Sequence, residues 1–352
     1  MVRFDRPPVT KTTGGALATS GLNSVLVTGG GGYVGTVLVP RLLDQGYAVR
    51  VMDLFLFDDF LPSHPRLQRM KADIRDQASV TAAVKGIDAV IHLACISNDP
   101  SFELNPQLSK SINFDCFEPL VVISKQAGVK RFIYASTSSV YGVSDAPEVT
   151  EDHPLVPLTD YNKYKGLCEP LLLRHQSEKF ATVIIRPATI CGYSPRLRLD
   201  LTVNILTNLA VNNRRITIFG GSQKRPNIHI DDIADLYADL LTRPDHQIAG
   251  KTFNAGYQNY TVADLGCMVR DVVGKEMPEL RPIEIDTSHS DDLRSYHVSS
   301  EKIKRELGWA PKRTLEDAVA DLCRAFRQGK IPNSLSDSRY YNVKTIQALG
   351  FC

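Results

Sequence analysis

From residue 24 to residue 187, short apolar runs alternate with longer stretches in which apolar positions recur every three or four residues. The runs SVLVTG (24–29), AVRVMD (48–53), LQRMKADI (67–74), DAVIHLA (88–94), RFIYAS (131–136) and ATVIIRP (181–187) read as strands. The intervening segments 34–46, 76–85, 106–127 and 160–178 read as helices. Strands that are apolar along their length and separated by helices imply a parallel sheet covered on both faces. After Pro187 the rhythm breaks. ATICGYSPRLRLD and FGGSQKRPN read as loops, IHIDDIADLYADLL (228–241) resumes a strand and a helix, and the rest mixes short elements.

The first strand runs into VTGGGGYVGTVLV (27–39), which spaces Gly29, Gly32 and Gly35 three apart where the first helix opens. Gly29 permits a tight turn, Gly32 lets backbone approach a pyrophosphate, and Gly35 lets the helix pack closely on the strand. Tyr33 and Val34 complete this cradle. Asp53 ends the second strand, where a carboxylate accepts hydrogen bonds from an adenosine ribose. The residues after it are LFLF, with no Arg or Lys for a 2′-phosphate, which favours NAD over NADP. Asp73 and Ile74, at the end of the third strand, are placed to border the adenine.

The expected fold is therefore α/β, a Rossmann-type doubly wound parallel sheet with a smaller α/β substrate-binding lobe at its C-terminal side. Residues 22–187, continued by 227–250, are assigned to the dinucleotide-binding domain, and 188–226 with 251–330 to the lobe. Residues 1–21 read as a polar tail without the apolar core of a signal peptide. The last stretch, 331–352, has no assignable role.

Composition narrows the function. The 352 residues carry a formal net charge of +2 and no basic block, so nucleic-acid binding by phosphate neutralisation is not expected. No apolar run approaches the roughly 20 residues needed to span a bilayer, and no membrane association is expected. Seven scattered cysteines without a Cys-x-x-Cys pair suit a reducing compartment, hence the cytoplasm, and no metal site is expected.

Candidate chemistry lies in TDYNKYKGLCEPLLL (159–173), where Tyr161 and Lys165 are four apart and share one helix face. An ammonium beside a phenol favours the phenolate, which can take a proton from a sugar hydroxyl. The hydroxyl-rich segment YASTSSVYG (134–142) precedes it at the end of the fifth strand.

With these features the chain resembles the extended short-chain dehydrogenase/reductase family, specifically its NAD-dependent nucleotide-sugar epimerases and dehydratases, from about residue 22 to 330. TGGGGYVG, Asp53, ADIRD (72–76), HLA (92–94), Asn113, STSSVYG, YNKYK, RP (186–187), RPNIHIDDIA (225–234) and ELGWAP (306–311) carry the resemblance. It implies that Thr137 completes a catalytic set with Tyr161 and Lys165. It places Leu93, Ala94, Asn113, Ser136 and Pro187 at the cofactor, and Ser138, Ser139, Thr189, Asn204, Phe219, Arg225 and Arg294 at the substrate. It also implies a homodimer through helices 106–127 and 160–178.

The departures are informative. Dehydratases of the family carry Asp-Glu where this chain has Ser138-Ser139, and a serine cannot do a carboxyl's work without an added base. Family members that epimerise carbons beside a ketone place Cys and His where this chain has Ser139 and Ser194. Thr189 replaces an Asn that touches the sugar or its phosphate in many members. Arg196 and Arg198 read either as phosphate ligands or as solvated loop charges, and Cys191 as an acid/base or a buried structural thiol.

The reaction expected is epimerisation of a nucleotide-diphosphate sugar at C4 through a transient ketone. A dehydrogenase or reductase that releases or consumes the 4-keto sugar is the nearest alternative, and a dehydratase the third. A non-catalytic dinucleotide sensor would not need Thr137, Tyr161 and Lys165 together.

Overall fold

The computed structural model describes residues 21–289, 295 and 297–350. Seven strands form one parallel sheet: β1 (Ser24–Thr28), β2 (Ala48–Asp53), β3 (Leu67–Lys71), β4 (Ala89–His92), β5 (Arg131–Ala135), β6 (Ala181–Pro187) and, much later in the chain, β10 (Lys251–Ala255). Their order is β10-β6-β5-β4-β1-β2-β3. The winding reverses beside β1, so the C-terminal ends of β1 and β4 open a crevice. All four residues of β4 are buried, as are the first four of β5. This is why the sequence there reads as continuous apolar runs rather than alternation.

On one face of the sheet lie α1 (Gly35–Asp44) and, later in the chain, α8 (Ile230–Thr242); their Leu38, Leu42, Ile233 and Tyr237 share a core with Val25 and Ile91. On the other lie α2 (Gln77–Val84) and, after two short helices α3 (Asp99–Glu103) and α4 (Pro106–Lys110), the longer α5 (Phe117–Gln126) and α6 (Asp160–Leu173). Val80, Phe117, Leu120, Cys168 and Leu172 pack there with Val90 and Phe132.

The lobe has a core of its own, built on α7 (Thr202–Asn213), β8 (Arg215–Phe219) and the helices Val262–Glu276 and Leu315–Arg327. Its strands form a three-stranded sheet of β7 (Thr189–Cys191), β9 (Lys224–His229) and β11 (Gln258–Thr261), and a pair of β8 with β12 (Glu284–Ser288).

Three elements differ from the sequence reading. Residues 251–255, expected in the lobe, instead close the main sheet: Phe253 lies opposite Ile185 of β6 and is fully buried. The strand expected at 228 belongs to the lobe sheet, beside β7. The helix expected over 106–127 is broken by a wide π turn at Ser111–Asp115. Within it the Asn113 amide oxygen accepts from the N–H of Ile96 (2.8 Å) and its amide nitrogen donates to the Ile96 carbonyl (2.9 Å). A wider turn re-aims a side chain that a regular turn would carry past the loop.

Helix α6 is fixed to the sheet by a buried ion pair. Glu169 and Arg186 of β6 form a two-pronged contact, Nε to Oε1 at 3.0 Å and Nη2 to Oε2 at 2.6 Å, with 3% and 5% of each residue exposed. Arg186 also donates to the Tyr141 hydroxyl at 2.7 Å. Breaking such a pair from one side strands a buried charge and costs about 3–5 kcal/mol. Glu169→Ala is therefore expected to destabilise the fold by about that amount in chemical denaturation, and Glu169→Leu combined with Arg186→Met to recover most of the loss.

Candidate active site

The glycine loop between β1 and α1 is closed by contacts that leave no room for side chains. Gly29 has φ +72°, and a Cβ on it would sit 2.6 Å from the Ala94 nitrogen. A Cβ on Gly35 would lie 2.3 Å from the Gly30 carbonyl oxygen, so this glycine is required by the loop's own backbone more than by packing of α1 on the strand. Val34 precedes the helix without a side-chain cap. The N–H groups of Tyr33 and Val34 find no acceptor among the described residues. Such amides at the positive end of a helix suit a pyrophosphate.

Asp53 stands at the end of β2. Its oxygens accept from the N–H of Gly31 (2.9 Å) and of Phe55 (2.7 Å), tying the cradle to the β2 loop. Burial raises its pKa, and those two N–H groups pull it back. Lone pairs remain on both oxygens for ribose hydroxyls. Asp73 accepts from Arg75 in an exposed ion pair at 2.6 Å, beside the nearly buried Ile74. Leu93 and Ala94 follow β4 directly and face the glycine turn through Ala94. Together the crowded glycines, the unbonded amides and Asp53 fit a dinucleotide without a 2′-phosphate.

Three residues expected at the cofactor spend their side chains elsewhere. The Tyr33 hydroxyl donates to the Gly192 carbonyl at 2.7 Å, away from the cradle. Ser136 donates to Glu169 at 2.6 Å and is 4% exposed, so it supports the ion pair rather than reaching toward a nicotinamide. Asn113 positions the loop after β4, as described. Pro187 ends β6 half-buried, beside the crevice.

The hydroxyl run at the end of β5 is ordered by one amide. Thr137 begins a 3₁₀ turn over Ser138–Tyr141, and its hydroxyl lies 2.8 Å from that of Ser139. Ser139 donates in turn to the Asn162 side-chain oxygen at 2.5 Å. Asn162 sits between Tyr161 and Lys165 on the first turns of α6, whose N-cap is Thr159. Lys165 is 3% exposed, donates to the Ala135 carbonyl at 2.6 Å, and lies 4.9 Å from the centre of the Tyr134 ring. Thr137, Ser139 and the Tyr161–Lys165 helix are thus one assembly. Ser138 is buried and does not join it. Asn162 lies inside YNKYK, where the tyrosine and lysine carry the recognisable spacing and nothing marks the amide between them.

At the substrate end, Phe219 closes β8 with its side chain exposed, and Arg225 lies buried in β9. Thr189 is half-buried in β7. Asn204 is fully buried instead of facing a ligand: it accepts from Gly192 N–H (2.9 Å) and donates to the Arg198 carbonyl (2.8 Å) and the Tyr33 hydroxyl (3.1 Å). Arg294 lies outside the described residues.

The loop 195–200 carries what the sequence could not decide. Arg196 and Arg198 are 3% and 7% exposed and so are not solvated charges. Arg198 pairs with Asp200 through two contacts of 2.9 and 3.1 Å and donates to Ser97. Burial works against its charge, and Asp200 with the Tyr161 phenol restores it. Cys191 is fully buried, its thiol on the Ile228 carbonyl, and burial raises its pKa, which favours the neutral thiol of a structural residue. His229, Asp231 and Asp321 approach metal-ligand spacing; His229 Nδ1 accepts from the Asp231 N–H and caps α8, and its Nε2 lies 3.5 Å from Asp321.

A family model described as "NAD dependent epimerase/dehydratase family" matches residues 25–256. Over 337 residues the chain is 28% identical to a UDP-glucose 4-epimerase of Bacillus subtilis, covering 86% of this chain and 96% of that one. It is 29% identical to a 3-beta-hydroxysteroid dehydrogenase of Mycolicibacterium neoaurum, covering 85% and 90%. Among solved structures, MoeE5 in complex with UDP-glucuronic acid and NAD superposes with a TM-score of 0.76 at 25% identity, covering 87% of this chain and all of that one.

His92, beneath the site, is 3% exposed, with Nδ1 2.8 Å from the Thr28 hydroxyl. Burial, helped by the Lys165 charge, lowers its pKa to about 3. The unfolded chain would protonate it near 6.5, so its contribution is complete above that pH and is lost as pH falls toward 3. Unfolding free energy should therefore drop on acidification by up to about 1.4 kcal/mol per pH unit from this group. Denaturation between pH 6.5 and 4 should show a shallower slope in His92→Asn.

Proposed function

Since the chain belongs to the NAD-dependent epimerase/dehydratase family and its cofactor is NAD, we propose that it epimerises a nucleotide-activated sugar at C4 and keeps the cofactor bound between turnovers. The observation that carries this reading is the Thr137–Ser139–Asn162 chain, which puts hydroxyl and amide groups where a carboxylate would be needed for water loss. Tyr161 takes the proton of the C4 hydroxyl, and Thr137 shares that proton's path. Lys165 is anchored on the Ala135 carbonyl, and its charge would favour the Tyr161 phenolate and hold the nicotinamide ribose. Bound NAD, held by the glycine loop and Asp53, would supply the hydride acceptor and donor for C4. The ketone turns over in the pocket in between, held by its diphosphate on Arg225 and by its base against Phe219.

A second reading, an NAD-dependent dehydrogenase that releases its ketone, is supported by the exposed apolar side chains Val143, Val156 and Leu158 near the site and by the hydroxysteroid dehydrogenase relative. Product made in heavy water separates the two from each other and from dehydration. Hydride that leaves and returns at one carbon gives no carbon-bound deuterium by mass spectrometry and no growing NADH absorbance. A single deuterium on carbon would overturn the epimerase reading, and NADH rising with substrate would favour the dehydrogenase. Tyr161→Phe should lower turnover at least ~10²-fold with NAD still bound.

We further read the protein as a cytoplasmic homodimer built on α5 and α6, in keeping with its scattered cysteines and with the exposed Leu167 on α6. Sedimentation should give twice the chain mass, and Leu167→Glu should shift it to one.

A further inference from the structure

We propose that Arg196, oriented by Asn342 of the C-terminal segment, binds the pyrophosphate of NAD. The proposal rests on the cofactor and not on which sugar or reaction the enzyme serves. Arg196 is a buried cation with no direct ion pair among the described residues; Asp200 and Asp53 act on it only through space. Its guanidinium lies 3.7 Å from the centre of the Phe57 ring, and Nη2 donates to the Asn342 side-chain oxygen at 2.5 Å. Nε is buried with no partner, and no carboxylate closes an ion pair with the group among the described residues. Asp200, the nearest acidic candidate in its own loop, is already held by both prongs of Arg198. Asp53 acts on it through space but makes no direct contact, its carboxylate receiving the Gly31 and Phe55 amides. Burial and the neighbouring Arg198 push the Arg196 pKa down to about 9, against the weaker opposing pull of Asp200 and Asp53. A buried charge left without a partner is strongly unfavourable, so an anion is the missing component.

The place identifies the anion. The Arg196 backbone N–H donates to the Thr36 hydroxyl at 3.4 Å on the first turn of α1, Ser194, two residues earlier, donates to the Tyr33 carbonyl at 2.7 Å, and the guanidinium is close enough to Asp53 to lower its pKa. Arg196 therefore flanks the same cradle in which the Tyr33 and Val34 amides lack acceptors. The pyrophosphate is the permanent anion of NAD, and a guanidinium presents a fork that matches phosphate oxygens.

Asn342 fixes that fork. Its backbone N–H reaches Asp200 (3.2 Å) and its side-chain nitrogen reaches Ser97 (3.2 Å), so one residue joins the loops after β4 and β7. The segment that carries it is fastened by the Arg339–Asp58 ion pair (2.6 Å) and by Leu199 N–H on the Tyr340 carbonyl (2.9 Å). It lies beyond the 25–256 stretch matched by the family model. Residues 331–352, which had no role in the sequence reading, thereby acquire one: the helix Asn342–Ala348 begins with a positioning residue for the cofactor.

Calorimetric titration of the full-length protein, dialysed free of nucleotide, with NAD and separately with adenosine tests this. Arg196→Gln should weaken NAD at least tenfold and leave adenosine, which has no phosphate, within twofold. Asn342→Ala should weaken NAD several-fold, and should cost nothing further in the Arg196→Gln background because it acts through that residue. Asn342→Asp supplies the absent counter-charge, so it should raise the melting temperature of the nucleotide-free protein while weakening NAD; this keeps the test decisive if Arg196→Gln does not fold. NAD affinity unchanged in Arg196→Gln, adenosine affinity falling in parallel with NAD, an undiminished Asn342→Ala effect in the double variant, or Asn342→Asp binding NAD as well as the parent would each overturn the proposal.

Discussion

The two-pronged contact between Glu169 and Arg186 couples everything else in the site. Helix α6 carries Tyr161, Asn162 and Lys165 on its first turns and Glu169 one turn later. Because Glu169 is locked to β6 and also receives the Ser136 hydroxyl from the end of β5, the helix cannot slide along the sheet without uncovering a buried charge. Lys165 adds a second anchor on the last carbonyl of β5. The reactive turn of α6 is therefore held in register with the hydroxyl run by polar contacts of defined geometry, where apolar packing alone would tolerate a shift.

What the sequence made legible was local. The glycine loop, Asp53 and the Tyr161–Lys165 pair are short-range patterns whose meaning follows from a strand and a helix in succession, and they could be read without knowing the rest of the chain. What it hid was the partner of each polar side chain. Asn204 and Ser136 carry the residue types of ligand-binding positions, yet their hydrogen bonds run to Gly192, Arg198 and Glu169, contacts set by folding and not by spacing. The strand Lys251–Ala255 was misplaced for a related reason: nothing in KTFNA distinguishes an edge strand of the main sheet from one in the lobe until β6 is beside it.

The loops that face the crevice are organised by charge in a way composition cannot report. Arg196, Arg198 and Asp200 look alike in sequence, as three ionisable residues in an irregular stretch. In the fold one arginine and the aspartate neutralise each other, Ser97, Asn98 and Asn342 gather around them, and the other arginine is left over. The asymmetry comes from tertiary neighbours contributed by positions 97 and 342, which lie 245 residues apart in the chain.

The crowding around Gly35 has a kinetic consequence. A loop whose backbone closes on itself this tightly, with Asp53 holding Gly31 from the other side, has little conformational freedom left to lose when a nucleotide arrives. Ordering entropy that a flexible loop surrenders on binding was already surrendered during folding, so the encounter need not wait for the cradle to form. Slow release would then reflect the contacts made by the bound molecule, and entry would be governed by diffusion into the crevice.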